Sequence, residues 1–183
     1  MITVYLARHA TPDWQRKDIP YYLPPGPPLV EQGEREAVQL GKFLRQKGVC
    51  RIYTSPLERC LATARLATNG AGWLVEMVPG LIEIQPDETE PQIIQRLAPV
   101  FDQASRAAVD GPVCLLTHGG PVAILLGWLG MAADTVRALR VYEFANLLPP
   151  AGAWEARQEQ SGEPWQLGLV FTPDAQVDSL RHK

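Results

Sequence analysis

Cysteine is scarce, long apolar runs are missing, and neither sign of charge accumulates along this sequence of 183 residues. Cys50, Cys60 and Cys114 are odd in number and widely spaced, which argues against a disulfide framework and against a zinc site. Each is expected to be a small buried hydrophobe, and a reducing cytoplasm is the compartment that fits. The longest apolar run, Val122 to Leu129, is broken by Gly127 and too short to span a bilayer, and no charged region followed by an apolar one opens the sequence. No export signal and no membrane partner are expected. Lys and Arg number 17 against 20 Asp and Glu, a net charge of -3. The basic residues are scattered, so the stripe that a nucleic-acid-binding face requires is missing as well.

What remains is ordinary for a globular protein: 46% apolar and 20% charged residues. The length suits one domain over 1–183 with a sizeable core. Ile2 to Ala7 is a nearly unbroken apolar and β-branched run, the pattern of a strand covered on both faces. Thr11 to Leu29 shows no periodicity and holds Pro20, Pro24, Pro25, Pro27 and Pro28, which deny it a helix or an inner strand. Gln32 to Gly48 carries Ala37, Leu40 and Leu44 at helical spacing and ends on a glycine. Val49 to Thr54 predicts a second strand, after which Ser55 and Pro56 are read as N-cap and first-turn proline of a helix that stops near Asn69 and Gly70.

Trp73 to Val78 predicts a third strand. Thr89 and Gln92 form a capping-box pattern before a helix whose buried face is expected to hold Ile94, Leu97, Phe101, Ala104 and Ala108. Val113 to Thr117 is the next predicted strand, followed at His118 to Pro121 by an apolar helix ending at Gly130. Leu139 to Leu148 and Gln166 to Phe171 are read as strands, separated by breaks at Pro149 to Gly152 and Gln160 to Glu163. Strands alternating with helices predict an α/β three-layer sandwich, a mainly parallel central sheet with helices on both faces and function at the C-terminal strand ends.

Histidine is also scarce, three residues in all, and its placement is informative. His9 follows the first strand and His118 a later one, so a parallel sheet brings two distant imidazoles to one edge. His182 lies in the polar tail and is set aside. Arg8 adjoins His9, and Arg59 lies in the first turns of the helix after Ser55. Guanidinium groups match phosphate oxygens bidentately, and free N–H groups at a helix start favour anions too. Phosphate is the ligand that this set of residues suits.

Three blocks carry a family likeness: Leu6-Ala7-Arg8-His9-Ala10, Thr54-Ser55-Pro56-Leu57-Glu58-Arg59 and Thr117-His118-Gly119-Gly120. In order and spacing they resemble the signature blocks of the histidine phosphatase superfamily, relatives of cofactor-dependent phosphoglycerate mutase, and the likeness runs from Ile2 to about Gly130. The resemblance implies a phosphoglycerate mutase-like fold and a phosphohistidine formed on His9. Arg8, Arg59 and His118 would hold the phosphoryl oxygens, with Gly119 in the same block beside them. Glu83 matches the family's acid position, with Asp87, Glu88 and Glu90 as rivals. Gln15 stands where the family usually has a phosphate-binding asparagine, with Trp14 beside it. Ala10 replaces the usual glycine, where a methyl group threatens to crowd the turn, and Thr11 sits one position early.

The expected activity is hydrolysis of phosphate monoesters without metal or other cofactor, on a small phosphorylated metabolite or a phosphoprotein. The interval between Glu83 and His118 is short and largely taken up by one predicted helix, which leaves little for a lid that would shield an intermediate from water. The alternatives are a phosphohistidine protein phosphatase, a phosphoglycerate mutase-type phosphotransferase, and a phosphate-binding module without turnover. The sequence leaves the oligomeric state open.

Overall fold

A computed structural model describes residues 1–160 and 162–174. In chain order the elements are β1 (Ile2–Arg8), α1 (Glu31–Gln46), β2 (Arg51–Thr54), α2 (Glu58–Thr68), β3 (Leu74–Met77), α3 (Glu90–Ala107), β4 (Val113–Thr117), α4 (Gly119–Trp128), α5 (Ala133–Ala138), β5 (Ala153–Gln158) and β6 (Gln166–Phe171). Six strands form one sheet in the order β3-β2-β4-β1-β5-β6. The first four are mutually parallel. β5 runs antiparallel to β1, and β6 antiparallel to β5.

Alternation along the inner strands divides the core into two layers, because successive side chains point to opposite faces of a sheet. Val4 and Leu6 of β1, with Val113 and Leu115 of β4, pack under α3 and α4. Tyr5 and Ala7, with Cys114 and Leu116, pack under α1 and join Leu40 and Leu44. This is the α/β sandwich that the sequence predicts. The helix after β1 and the helix after β4 therefore cover opposite faces. β1 and β4 are neighbours, so the crevice between their C-terminal ends is the switch point where an α/β sheet places its site.

Local chemistry explains the helix limits. α1 has Glu31 and Glu34 in its first turn and Arg45 in its last, complementing the helix dipole, and Gly48 closes it at φ 79°. Gly41 lets α1 and α2 touch, because a methyl group there would run into the Ala67 backbone. α3 opens with the Thr89–Gln92 capping box. The proline-rich loop after β1 leaves His9 through a fixed exit. Buried Glu36 of α1 accepts the Thr11 amide at 2.8 Å, the Thr11 hydroxyl at 2.7 Å and the Gln32 side-chain amide at 2.8 Å.

Several expectations are corrected. α2 begins at Glu58 with Leu57 at its cap and no side-chain capping bond, because the Ser55 hydroxyl is engaged by His118 instead. Leu139 to Leu148 is not a strand. The segment holds the end of α5 and a tight turn at Glu143–Ala145, closed by a single bridge between Tyr142 and Asn146. Alanine-rich β5 carried no strand signal in its side chains, yet its backbone pairs with β1 and buries Ala153, Trp154 and Ala156. On α3 the buried positions are Ile93, Leu97, Val100, Phe101 and Ala104, so Ile94 sits one step off the core stripe. Cys50 is exposed, whereas Cys60 and Cys114 are buried. No helix among the described residues is long and apolar enough to cross a membrane.

Candidate active site

Strand register assembles the site. Arg8 of β1 lies opposite Thr117 of β4, and the His9 amide donates to the Thr117 carbonyl at 2.9 Å. One residue beyond, His118 caps α4. The two imidazoles meet with ring centroids 5.1 Å apart. From the other side of β4, the Ser55 amide binds the Leu116 carbonyl at 3.0 Å, which brings the start of α2, and with it Arg59, to the same edge. Arg8, His9, Arg59 and His118 are all buried, at 2% exposure or less.

A hydrogen bond fixes the state of the His9 ring. His9 Nδ1 lies 2.8 Å from the Ala10 carbonyl oxygen. A carbonyl only accepts, so Nδ1 carries the proton and Nε2 keeps its lone pair. Burial, then the Arg59 and Arg8 guanidinium groups, hold the His9 pKa well below the ordinary imidazole range. His118 is held down likewise by burial, then by His9, Arg59 and Arg8. Its Nε2 lies 2.8 Å from Ser55 Oγ. That oxygen also accepts the Leu57 amide at 3.4 Å, and either the hydroxyl or Nε2 can donate across the pair. His118 Nδ1 stands 3.8 Å from Glu83 Oε2, which with a neutral ring is proximity rather than an ion pair.

Arg59 is the most exposed to chemistry of these groups in one sense: its Nη1 donates to the Tyr21 carbonyl at 2.9 Å, but Nε and Nη2 are buried without a partner among the described residues. Unpaired buried donors on a guanidinium are costly, and an anion bound there would satisfy them. Tyr21 also lays its ring 4.0 Å from the Arg59 guanidinium carbon. Thr63 links α2 to the turn after His9, accepting the Ala10 amide at 3.0 Å and donating to the Arg59 carbonyl at 2.6 Å. Ala10 is fully buried and is not among the residues with positive φ, so its methyl group is accommodated without strain. Arg8 donates through Nη1 to Glu143 Oε1 at 2.7 Å and to the Leu148 carbonyl at 3.2 Å.

Above this cradle opens a cavity of about 780 Å³ whose floor includes Arg8, Glu83, Gly119 and Gly120. Glu83 accepts the Ile84 amide at 2.9 Å, and burial raises its pKa above the usual carboxylate range despite that bond and the nearby arginines. Its rivals differ. Glu88 is paired with Arg96, which lowers its pKa, and Asp87 and Glu90 are exposed. A side chain at Gly119 would meet the side-chain amide of Asn146 and force it to move. Gln15 is exposed and is not among the cavity-lining residues, so the structure does not bring it to the other groups. Cys60 lies 3.6 Å from His118 Nε2, but burial pushes its thiol up to about 12, too high for a nucleophile near neutrality. His182 lies outside the described residues.

Sequence reasoning missed Glu143, Tyr21 as a backbone acceptor, and Ser55 as a histidine partner. Ser55 stood within a quoted block and was legible as a polar residue at a strand end. Glu143 and the Tyr21 carbonyl carried no local signal.

Residues 4–92 match the pattern that defines the histidine phosphatase superfamily, branch 1. A probable phosphoglycerate mutase GpmB of Cronobacter sakazakii is 31% identical over 111 residues, 61% of this chain and 51% of that protein. Its counterpart in Yersinia enterocolitica is 29% identical over 122 residues, 67% of this chain and 54% of that protein. The chain thus spans about half the length of the curated relatives it matches. Among solved structures, Bacillus stearothermophilus YhfR superposes with a TM-score of 0.74 at 18% identity, covering 91% of this chain and 95% of that one. The mycobacterial glucosyl-3-phosphoglycerate phosphatase complexed with VO3 does so with a TM-score of 0.75 at 18% identity, covering 92% and 98%. At that identity these structures speak for the fold alone.

Proposed function

We propose that this chain is a member of the histidine phosphatase superfamily, whose pattern residues 4–92 match, and that it is a phosphatase that hydrolyses phosphate monoesters through a phosphohistidine on His9. The observation that carries the reading is the pairing of a neutral, buried imidazole, its Nδ1 tied to the Ala10 carbonyl, with a guanidinium that has two unpartnered donors beside it.

His9 Nε2 attacks phosphorus in line as the bond to the leaving oxygen breaks. The electron pair goes to that oxygen, and Glu83, protonated through its raised pKa, gives it the proton. Arg8, Arg59 and His118 hold the three equatorial oxygens, where transition-state charge is spread. In the second half a water attacks the phosphohistidine, the Glu83 carboxylate takes its proton, the N–P bond breaks and inorganic phosphate leaves. Hydrolysis is favoured over phosphoryl transfer to a second substrate because Glu83 lines an open cavity that admits water, and α3, which follows it, packs on α4, β1 and β4.

The test combines purified protein with p-nitrophenyl phosphate and, separately, with 3-phosphoglycerate. Release of inorganic phosphate and an acid-labile ³²P label lost in His9→Asn are expected. Interconversion of phosphoglycerates without net phosphate release would assign the mutase reading that the names of the curated relatives suggest. Tight binding of phosphate esters with neither label nor hydrolysis would reduce the chain to a binding module.

A further inference from the structure

A phosphoryl group fills only a small part of a cavity of about 780 Å³, a size that elsewhere accommodates a drug-sized ligand. Part of the cavity wall is a continuous chain of aromatic rings, set among charged residues such as Arg16, Lys17 and Arg140. Trp14 stacks on Tyr21 at 5.4 Å between centroids, Tyr21 meets Tyr22 edge-on at 5.2 Å, and Phe144 leans on Trp14 at 4.9 Å. Ile84 and Pro86 line it as well.

Phe144 is the telling member. It is 70% exposed, and its backbone is left-handed at φ 55° and ψ 33°, followed by Ala145 at φ 53°. A bulky residue in that region is a conformational outlier, and two in succession persist only where the surroundings impose them. The surroundings do so. Asn146 Nδ2 donates to the Glu143 carbonyl at 3.0 Å, Arg140 Nη1 to the Ala145 carbonyl at 3.0 Å, and the Tyr142 amide to the Asn146 carbonyl at 3.0 Å. The Glu143 carboxylate is itself tied to Arg8 at 2.7 Å. The turn that presents a large ring to the cavity mouth, against its own backbone preference, is thus anchored to the phosphate-binding arginine.

We propose that this rim is a ring-binding subsite, and that the substrate is a phosphate monoester whose alcohol bears a flat unsaturated ring, as in a nucleoside or flavin 5′-phosphate. The inference rests on the phosphatase reading and adds the class of leaving group to it. His9 to Trp14 is 6.4 Å and Trp14 to Phe144 is 4.9 Å, so the Phe144 ring lies within about 11 Å of the His9 ring, inside the reach of an ester that carries both a phosphate and a ring. Open-chain phosphoglycerate has no ring to offer this rim.

The experiment compares ribose 5-phosphate with AMP and with flavin mononucleotide. All three release a primary alkoxide of similar basicity, so differences in kcat/KM report recognition beyond the phosphate. At least one ring-bearing ester is expected to exceed ribose 5-phosphate by about tenfold or more, the scale of one stacked ring, mainly through KM. Phe144→Ala should bring that ratio to within about threefold of unity. Equal kcat/KM for all three in the wild-type protein, or a ratio untouched by Phe144→Ala, would overturn the subsite. If none of the three is hydrolysed and His9 takes no label, the phosphatase reading fails instead. The subsite is then judged by calorimetric titration of His9→Asn with the same compounds, where equal affinities overturn it and a ring preference sustains it.

Discussion

The phosphate cradle and the aromatic rim lie a few ångströms apart and are built on opposite physical terms. Arg8, His9, Arg59 and His118 are buried to 2% exposure or less and sit at strand ends or in the first turns of helices. Phe144 is 70% and Tyr22 42% exposed, and both sit in turns outside the regular elements. The cradle is rigid because the sheet holds it by backbone register. The rim is held by a few side-chain bonds, which can change without unpicking the fold. Chemistry common to a family belongs in the first kind of region and choice of substrate in the second.

Substitutions can break that contrast. His9→Asn should abolish turnover of any ester, by about 10⁴-fold or more in kcat, with a circular dichroism spectrum like that of the parent. Activity within tenfold of the parent would remove the nucleophile from His9. Arg59→Met, which keeps the buried length of the side chain but none of its donors, should lower kcat/KM by about 10²- to 10³-fold. Lys17, which lines the same cavity on the side of the rim, replaced by Ala, should change p-nitrophenyl phosphate hydrolysis by less than about threefold. If the two variants behaved alike, the division between cradle and rim would be wrong.

Glu83 stands at the border and is tested by pH. Since burial raises its pKa, kcat for a poor leaving group should fall as pH climbs through that raised value. Glu83→Gln should lose about 10²-fold in kcat together with the alkaline limb. A rate profile unchanged in shape would transfer the proton-donating role elsewhere. Stability should move the same way. A carboxyl whose folded pKa exceeds its unfolded one contributes most below the unfolded value and loses that contribution as pH rises through the folded one. Glu83→Gln should therefore gain Tm relative to the parent above neutrality.

For His9 and His118 the sign reverses. Their pKa values are lowered on folding, so their contribution is complete above about 6.5, the unfolded value, and is lost as pH falls below it. Melting scans from pH 8 to pH 5 should show Tm falling with proton uptake on unfolding, and the fall should be smaller in His9→Asn. The smallest expected effect is that of a chelator. Guanidinium groups supply the charge on the phosphoryl oxygens, so excess EDTA should change the rate by less than about twofold; loss of turnover restored by Mg²⁺ would contradict this.

The cradle was legible because its residues sit in short runs tied to regular elements. Ile2 to Ala7 announces a two-sided strand, so the edge position of Arg8 and His9 follows, and Val113 to Thr117 does the same for His118. The turn that adds Phe144 to the rim was not legible. Glu143 and Phe144 fall in a stretch read as a strand from its apolar residues, and their conformation depends on Arg8, Arg140 and Asn146, contacts that alternation cannot encode. β5 escaped notice for a related reason: alanine says little about strand or helix, and the decision rests with the open edge of β1 that accepts its backbone. Ser55 was given a helix-capping role that its geometry allows in isolation, and a histidine distant in sequence claimed it.

By itself, then, the sequence determined the order of strands and helices from β1 to α4, the two imidazoles and guanidinium groups at one sheet edge, and the family to which they point, since periodicity and short motifs are local properties of a chain. Only the tertiary structure decided which nitrogen of His9 keeps its lone pair, which carboxyl has its pKa raised by burial, and how the Phe144 turn is held at the cavity mouth. Those follow from burial and from hydrogen bonds between residues far apart in the chain, and such partners exist only once the sheet has brought its distant segments to one edge.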